Sequence, residues 1–210
     1  MVHMNEPCRP SARRGRTPSA DVERELLTAA EAVLVRDGPG GLTVRAVAAE
    51  AGIAPMGVYN RLGGKDGLVD ALLIRGFDRL RASLEAAMSD TAETDLRTRF
   101  VSCGLSYRQF ALANPHFYAI MFEDAIPHER DNPEVVEHAR ATFGALVRIV
   151  ELAAAVGVLA APDPVEAAQQ IWSAVHGATA LELKGLVLTP DAEKTYLTLL
   201  TTLSRGLAPG

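Results

Sequence analysis

The side chains best equipped for chemistry in this 210-residue chain fall into a few groups. Arg9, Arg13, Arg14 and Arg16 crowd the start, where Glu6 is the one acid in the first 20 residues. Guanidinium groups on such a segment attract phosphates. His116, His128 and His138 have carboxylates nearby, with Glu134 four residues before His138. That spacing more often makes a solvated helix face than a metal site, so no metal and no cofactor is expected. No phosphate-binding glycine loop, nucleophile motif or zinc-protease pair occurs, and no catalytic residue is expected either. Trp172 and His176 lie four apart and share a helix face.

The elements that must position these groups are helices. Apolar residues make up 48% of the chain but aromatics only 5%, and the Ala and Leu bias suits helices better than strands. The expected class is all-α. Cys8 and Cys103 give neither a disulfide framework nor zinc-ligand spacing. No apolar run approaches the roughly 20 residues that span a bilayer, and the arginine-rich start lacks the apolar stretch of a secretion signal, which predicts a cytoplasmic protein without a membrane partner. The net charge of −5 is unevenly spread. Residues 1–81 carry 12 basic against 10 acidic side chains, and residues 82–210 carry 9 against 16. The basic end is therefore where a polyanion would dock.

Residues 1–20, rich in Pro, Ser and Arg, show no apolar period and are expected to be a disordered basic arm. Val22, Leu26, Ala30, Val33 and Leu34 then repeat at helical spacing until Asp37-Gly38-Pro39-Gly40-Gly41. Thr43 stands where an N-cap belongs, Val44, Val47, Ala48 and Ala51 continue the pattern, and Gly52 ends it. Pro55 suits the first turn of a third helix that reaches Arg61, and Gly63-Gly64 closes it. A longer helix follows through Leu68, Leu72, Phe77, Leu80 and Leu84. Further helices are predicted over Leu96–Ala113, Phe117–Glu123, Val135–Val158, Val165 to about Leu188, and Ala192–Leu207.

Two short helices around a tight turn at Gly52, preceded by a supporting helix, form a helix-turn-helix pattern. The segment Leu42-Thr43-Val44-Arg45-Ala46-Val47-Ala48-Ala49-Glu50-Ala51-Gly52-Ile53-Ala54, then Val58-Tyr59 and Lys65-Asp66-Gly67-Leu68, resembles the TetR family of bacterial regulators, most strongly over residues 21–75. The resemblance implies a DNA-binding unit over 21–66 and a ligand-binding and dimerisation unit over 67–210. It implies phosphate contacts by Thr43, Tyr59 and Lys65, which position rather than specify. Base reading falls by the same pattern to Val44, Arg45, Pro55, Met56, Gly57 and Asn60. Of these, Arg45 suits guanine and Asn60 adenine, while Pro55 and Met56 offer only apolar contact. Three departures bear on affinity: Ala54 replaces a capping Ser or Thr, Gly57 replaces a Thr that often touches DNA, and Leu62-Gly63-Gly64 replaces an aromatic, a Pro and a Ser. Arg13, Arg14 and Arg16 either compensate by entering a narrow minor groove or form a solvated tail. Deleting residues 1–18 distinguishes the two, because a phosphate-contacting arm steepens the salt dependence of DNA affinity.

A second resemblance, to a TetR C-terminal subgroup, rests on Trp172-Ser173-Ala174-Val175-His176-Gly177 and on Asn114-Pro115-His116-Phe117-Tyr118-Ala119-Ile120-Met121-Phe122. Phe100, Tyr107, Phe110, Phe117, Met121, Phe143, Trp172 and His176 would then line a cavity for a small, mostly apolar effector, against the plainer reading that each is simply core. The last two helices, rich in apolar residues, are the expected homodimer surface, and a two-fold dimer implies a pseudo-palindromic double-stranded operator. The expected activity is that of a ligand-released repressor. The competing classes are a helical ligand-binding enzyme, for which no catalytic constellation exists, and a protein-interaction module without DNA binding.

Overall fold

The computed structural model describes residues 19–89, 95–123, 125–126 and 132–208. Cys8, His128 and the arm with Arg13, Arg14 and Arg16 lie outside them. Within the described residues the fold is all-α, with α1 over Ser19–Gly41, α2 over Val44–Glu50, α3 over Pro55–Leu62, α4 over Lys65–Met88 and α5 over Leu96–Ala113. Helices α6 over Pro115–Phe122, α7 over Pro133–Ala155, α8 over Pro164–Leu183 and α9 over Ala192–Gly206 complete it.

The starts and stops follow side-chain chemistry. Thr43, Asp95, Asn132, Asp163 and Asp191 each accept a backbone N–H of the helix they precede, which satisfies donors a helix start leaves open. Proline opens α3, α6, α7 and α8, where its missing N–H costs nothing. Helix α1 loses helical geometry at Gly38 (φ 69°, ψ −177°), so the glycine-proline run breaks the helix as expected and one further turn carries the chain to Gly41. Two expected ends are corrected. Helix α8 stops at Leu183 rather than near Leu188, because Gly185 takes φ 67° and the Leu186 N–H turns back to the Leu181 carbonyl. Helix α7 stops at Ala155, and Val158 belongs to the turn that donates to the Ala153 carbonyl. In both places the apolar run outlasts the helix.

Helices α1, α2 and α3 and the link between the first two bury Leu26, Val33, Leu34, Leu42, Val47 and Val58 beside Leu68 and Leu72 of α4, in a core continuous with that of the later helices. Further along, α4 packs most extensively on α7 and α5. One helix thus runs through both parts of a single core. Glu31 of α1 fastens this junction by accepting from both Arg75 and Arg79 of α4. Helix α6 also touches α1, where the His116 imidazole lies against Gly38.

Candidate nucleic-acid interface and cavity

The α2–α3 unit is built by backbone bonding around its turn. Thr43 is extended (φ −129°, ψ 151°), and its hydroxyl oxygen accepts the Ala46 N–H at 3.1 Å, leaving the hydroxyl hydrogen to donate outward. At the far end Gly52 takes φ 66°, the Ile53 N–H donates to the Ala48 carbonyl at 2.9 Å, and the chain re-enters helix at Pro55. Ala54 makes no side-chain cap, so that departure leaves the α3 start without a side-chain acceptor.

Exposure sorts the expected contact residues. Thr43, Arg45, Pro55, Asn60 and Lys65 are exposed, as are Met56 at 63% and Tyr59 at 54%. Two expected base readers do not face out. Val44 is buried in the core under α2, and Gly57 is half-buried with the direction of its absent side chain aimed at Ile53, where a Cβ would come within 2.7 Å of Cδ1. Both follow from helical period, which turns the residue next to an outward one toward the core. The Tyr59 ring lies on Gly64, where a Cβ would be 2.9 Å from Cε1, so the glycine pair that departs from the family pattern makes room for that ring. Among the described residues Arg45 and Lys65 have no ion-pair partner, whereas the nearby Arg36 is committed to Asp37 and Glu50. Pairing Glu50 with Arg36 also offsets the acid of α2, which would otherwise repel a phosphate.

The second feature is a cavity of about 280 Å³ inside the C-terminal helices. Phe77, Leu80 and Leu84 of α4 form one wall, and Phe100, Cys103, Gly104 and Tyr107 of α5 another. Met121 and Phe122 of α6, Phe143 and Ile149 of α7, Trp172 and Val175 of α8, and Leu200 of α9 close it. Among the described residues no charged side chain lines it. Phe100, Tyr107, Met121, Phe143 and Trp172 are thus brought together as expected, and three other residues are not. Phe110 is buried one turn further along α5. Phe117 faces the junction with α4, against Gly76 and beneath the Arg79 guanidinium at 5.4 Å. His176 stands behind Tyr107, stacked on Tyr118 with ring centroids 5.4 Å apart.

The His176 Nδ1 lies 2.8 Å from the Tyr107 hydroxyl and 2.9 Å from that of Tyr118. Burial lowers the His176 pKa below its ordinary value and raises that of Tyr118 to about 12. Burial likewise raises Tyr107 and holds the Cys103 thiol up at about 12. The whole cluster is therefore neutral near pH 7. Sequence reading missed Phe122 and the α4 wall. Phe122 directly follows Met121, and the α4 residues carry the period of a core helix, which does not distinguish a filled core from a hollow one.

His138 meets Asp78 of α4 at 2.8 Å, not the carboxylate four residues before it. Among the described residues no three His, Cys, Asp or Glu side chains gather as a metal site, and no helix is long and apolar enough to cross a membrane.

Residues 26–72 match the domain family described as bacterial regulatory proteins, tetR family, and residues 100–203 match the tetracyclin repressor-like C-terminal domain. The chain belongs to the TetR family. This TetR regulator is 28% identical to an uncharacterized HTH-type transcriptional regulator of Mycobacterium tuberculosis over 189 residues, 90% of the chain and 83% of that relative. An HTH-type transcriptional regulator of Mycobacterium bovis is 24% identical over 147 residues, 70% of this chain and 59% of the relative. A solved structure of a protein with unknown function from Rhodococcus sp. RHA1 superposes with a TM-score of 0.81 at 30% identity, covering 95% of this chain and 100% of that one. A TetR-family transcriptional regulator from Pectobacterium atrosepticum shares the fold, with a TM-score of 0.72 at 20% identity over 94% and 99% of the two chains. This TetR regulator is a DNA-binding transcriptional regulator and not an enzyme.

Proposed function

We propose that the protein is a repressor that grips a pseudo-palindromic operator as a homodimer and lets go when a small, mostly apolar effector fills the C-terminal cavity. Residues 21–66 act as the DNA-binding unit and residues 67–210 as the ligand-binding and dimerisation body. The observation that carries this reading is α4, whose Leu68 and Leu72 complete the core under α2 and α3 while its Phe77, Leu80 and Leu84 wall the cavity. Movement of α4 reaches both places.

On the DNA side, Thr43, Tyr59 and Lys65 hold phosphates, and Arg45 and Asn60 read base edges beside Pro55 and Met56. Removing Val44 and Gly57 from the readers leaves two hydrogen-bonding side chains per half-site, with Arg13, Arg14 and Arg16 adding phosphate attraction from the arm. The dimer surface lies at the end of α8 and the loop after it, where Leu181, Leu186 and Leu188 are 51%, 56% and 98% exposed. A groove of about 290 Å³ runs there between α8 and α9. Apolar area of that kind on a soluble regulator fits an isologous contact.

The test is reciprocity. Purified protein should shift DNA from its own promoter region, and an effector that weakens operator affinity must itself bind more weakly, by the same factor, to the operator complex. Equal effector affinity in calorimetry with and without operator would dismiss the release mechanism, and failure to shift any promoter fragment would dismiss the operator.

A further inference from the structure

The cavity wall is mostly apolar, with Thr142, Cys103 and Tyr107 among its polar lining residues. Thr142 lines it, yet its hydroxyl lies 3.0 Å from the Phe77 carbonyl and 2.9 Å from the His138 carbonyl, and so is committed within the fold. Cys103 points its thiol at the Leu84 carbonyl at 3.6 Å. Tyr107 differs from both. Its hydroxyl also meets the Trp172 and Tyr118 side chains, and it shares a single imidazole nitrogen with the Tyr118 hydroxyl, 2.8 Å on one side and 2.9 Å on the other. With the imidazole proton on Nε2, Nδ1 offers one in-plane acceptor site, so the two phenols compete for it. When Tyr107 turns its proton toward the cavity, Tyr118 is already in place to satisfy His176. A donor is thereby released to a ligand without leaving a buried acceptor unpaired, a loss that ordinarily opposes such a switch.

Charge has no partner here. Among the described residues the wall carries no cation or anion, and burial favours the neutral forms of Tyr107 and His176. The cavity of about 280 Å³ lies near the lower end of the range of about 300–1,000 Å³ that small-molecule pockets span.

We propose that the effector is an uncharged small molecule, apolar along its length, whose one hydrogen-bond acceptor, a carbonyl or ester oxygen, docks on the Tyr107 hydroxyl. The proposal rests on the effector reading above and narrows its chemistry. Trp172, the one tryptophan in the chain, lines the cavity and reports occupancy by its emission. Three probes of equal chain length separate the possibilities: 2-nonanone, nonanoate and nonylammonium. The ketone should bind at least about tenfold more tightly than either ion, and Tyr107→Phe should weaken the ketone about tenfold, in keeping with one buried hydrogen bond. An ion that binds as well as the ketone, or a folded Tyr107→Phe that leaves ketone affinity unchanged, overturns the proposal and leaves the effector reading standing. If no probe alters Trp172 emission, both fall. The comparison of probes on the unaltered chain decides the matter even if the variant fails to fold.

Discussion

Arg45 and His176 carry the chemistry most specific to this chain. Arg45 is exposed and free of any ion pair among the described residues, while its neighbour Val44 is turned inward. Arg45→Ala should therefore relax base preference at one position in each half-site, at a cost of about 1–3 kcal/mol for each bidentate pair removed. Binding-site selection checks this, and an unchanged site logo would strike Arg45 from the readers. His176 predicts a pH effect. Burial lowers its pKa in the folded protein below the ordinary 6.5, so the unfolded chain binds the proton more readily. Its contribution to stability is complete above about pH 6.5 and is lost as pH falls from there through the lower folded value. Urea midpoints should drop between about pH 7.5 and about pH 5.5, and His176→Gln should show a smaller drop. Parallel profiles for the two proteins would mean that other groups set the acid limit.

At the scale of elements, the corner from α3 to α4 is the tightest constraint in the DNA-binding unit. A Cβ at Gly67 would lie 1.7 Å from the Leu62 carbonyl oxygen, and because that atom is backbone no rotamer change relieves the clash. Gly67→Ala is expected to cost about 3 kcal/mol, to lower the melting temperature, and to weaken operator binding by displacing Tyr59 and Lys65 on either side of the corner. A melting temperature equal to that of the parent protein would show that α3 and α4 meet less closely. Helix α9 illustrates a division of labour that periodicity alone does not resolve. Its Tyr196 and Leu200 are buried within the protomer, and Tyr196 donates to the Gly104 carbonyl at 2.9 Å, so the apolar surplus of α9 serves its own core first. Exposed apolar side chains include Leu181, Leu186 and Leu188 around the α8–α9 loop, and also Leu152, Val156 and Val165 where α7 passes to α8. Arg108 of α5 ties these last helices to the body through Glu182 at 2.7 Å and Glu193 at 3.4 Å.

For the whole molecule, function as proposed needs two copies. Replacing Leu186 and Leu188 with Asp puts charge into the surface assigned to the partner, at a cost of about 2 kcal/mol for each apolar anchor removed. Sedimentation should show a shift to monomer, with operator affinity falling in step, because one recognition helix holds one half-site. A double variant that remains dimeric would move the interface elsewhere. The charge pattern fits the same picture: the acidic body repels DNA while the basic end attracts it, which steers docking toward α3.

Much of this was decided by local physics and is legible in the residues themselves. Pro55 and Gly63 bound α3, Thr43 caps α2, and Gly38 breaks α1, because caps, prolines and positive-φ glycines act within a few residues of where they stand. The helix-turn-helix and most of its outward residues follow from that punctuation. What depended on distant chain did not show. Whether an apolar face is filled, hollow or bare is set by what packs on it, so only the tertiary structure separates Tyr107 on the cavity wall from Phe110 a turn away and Phe117 at the α4 junction. The same holds for Tyr107, Tyr118 and His176, which meet behind the cavity wall from helices far apart in the sequence. Periodicity names the face of a helix that is buried, and only the fold names its neighbour.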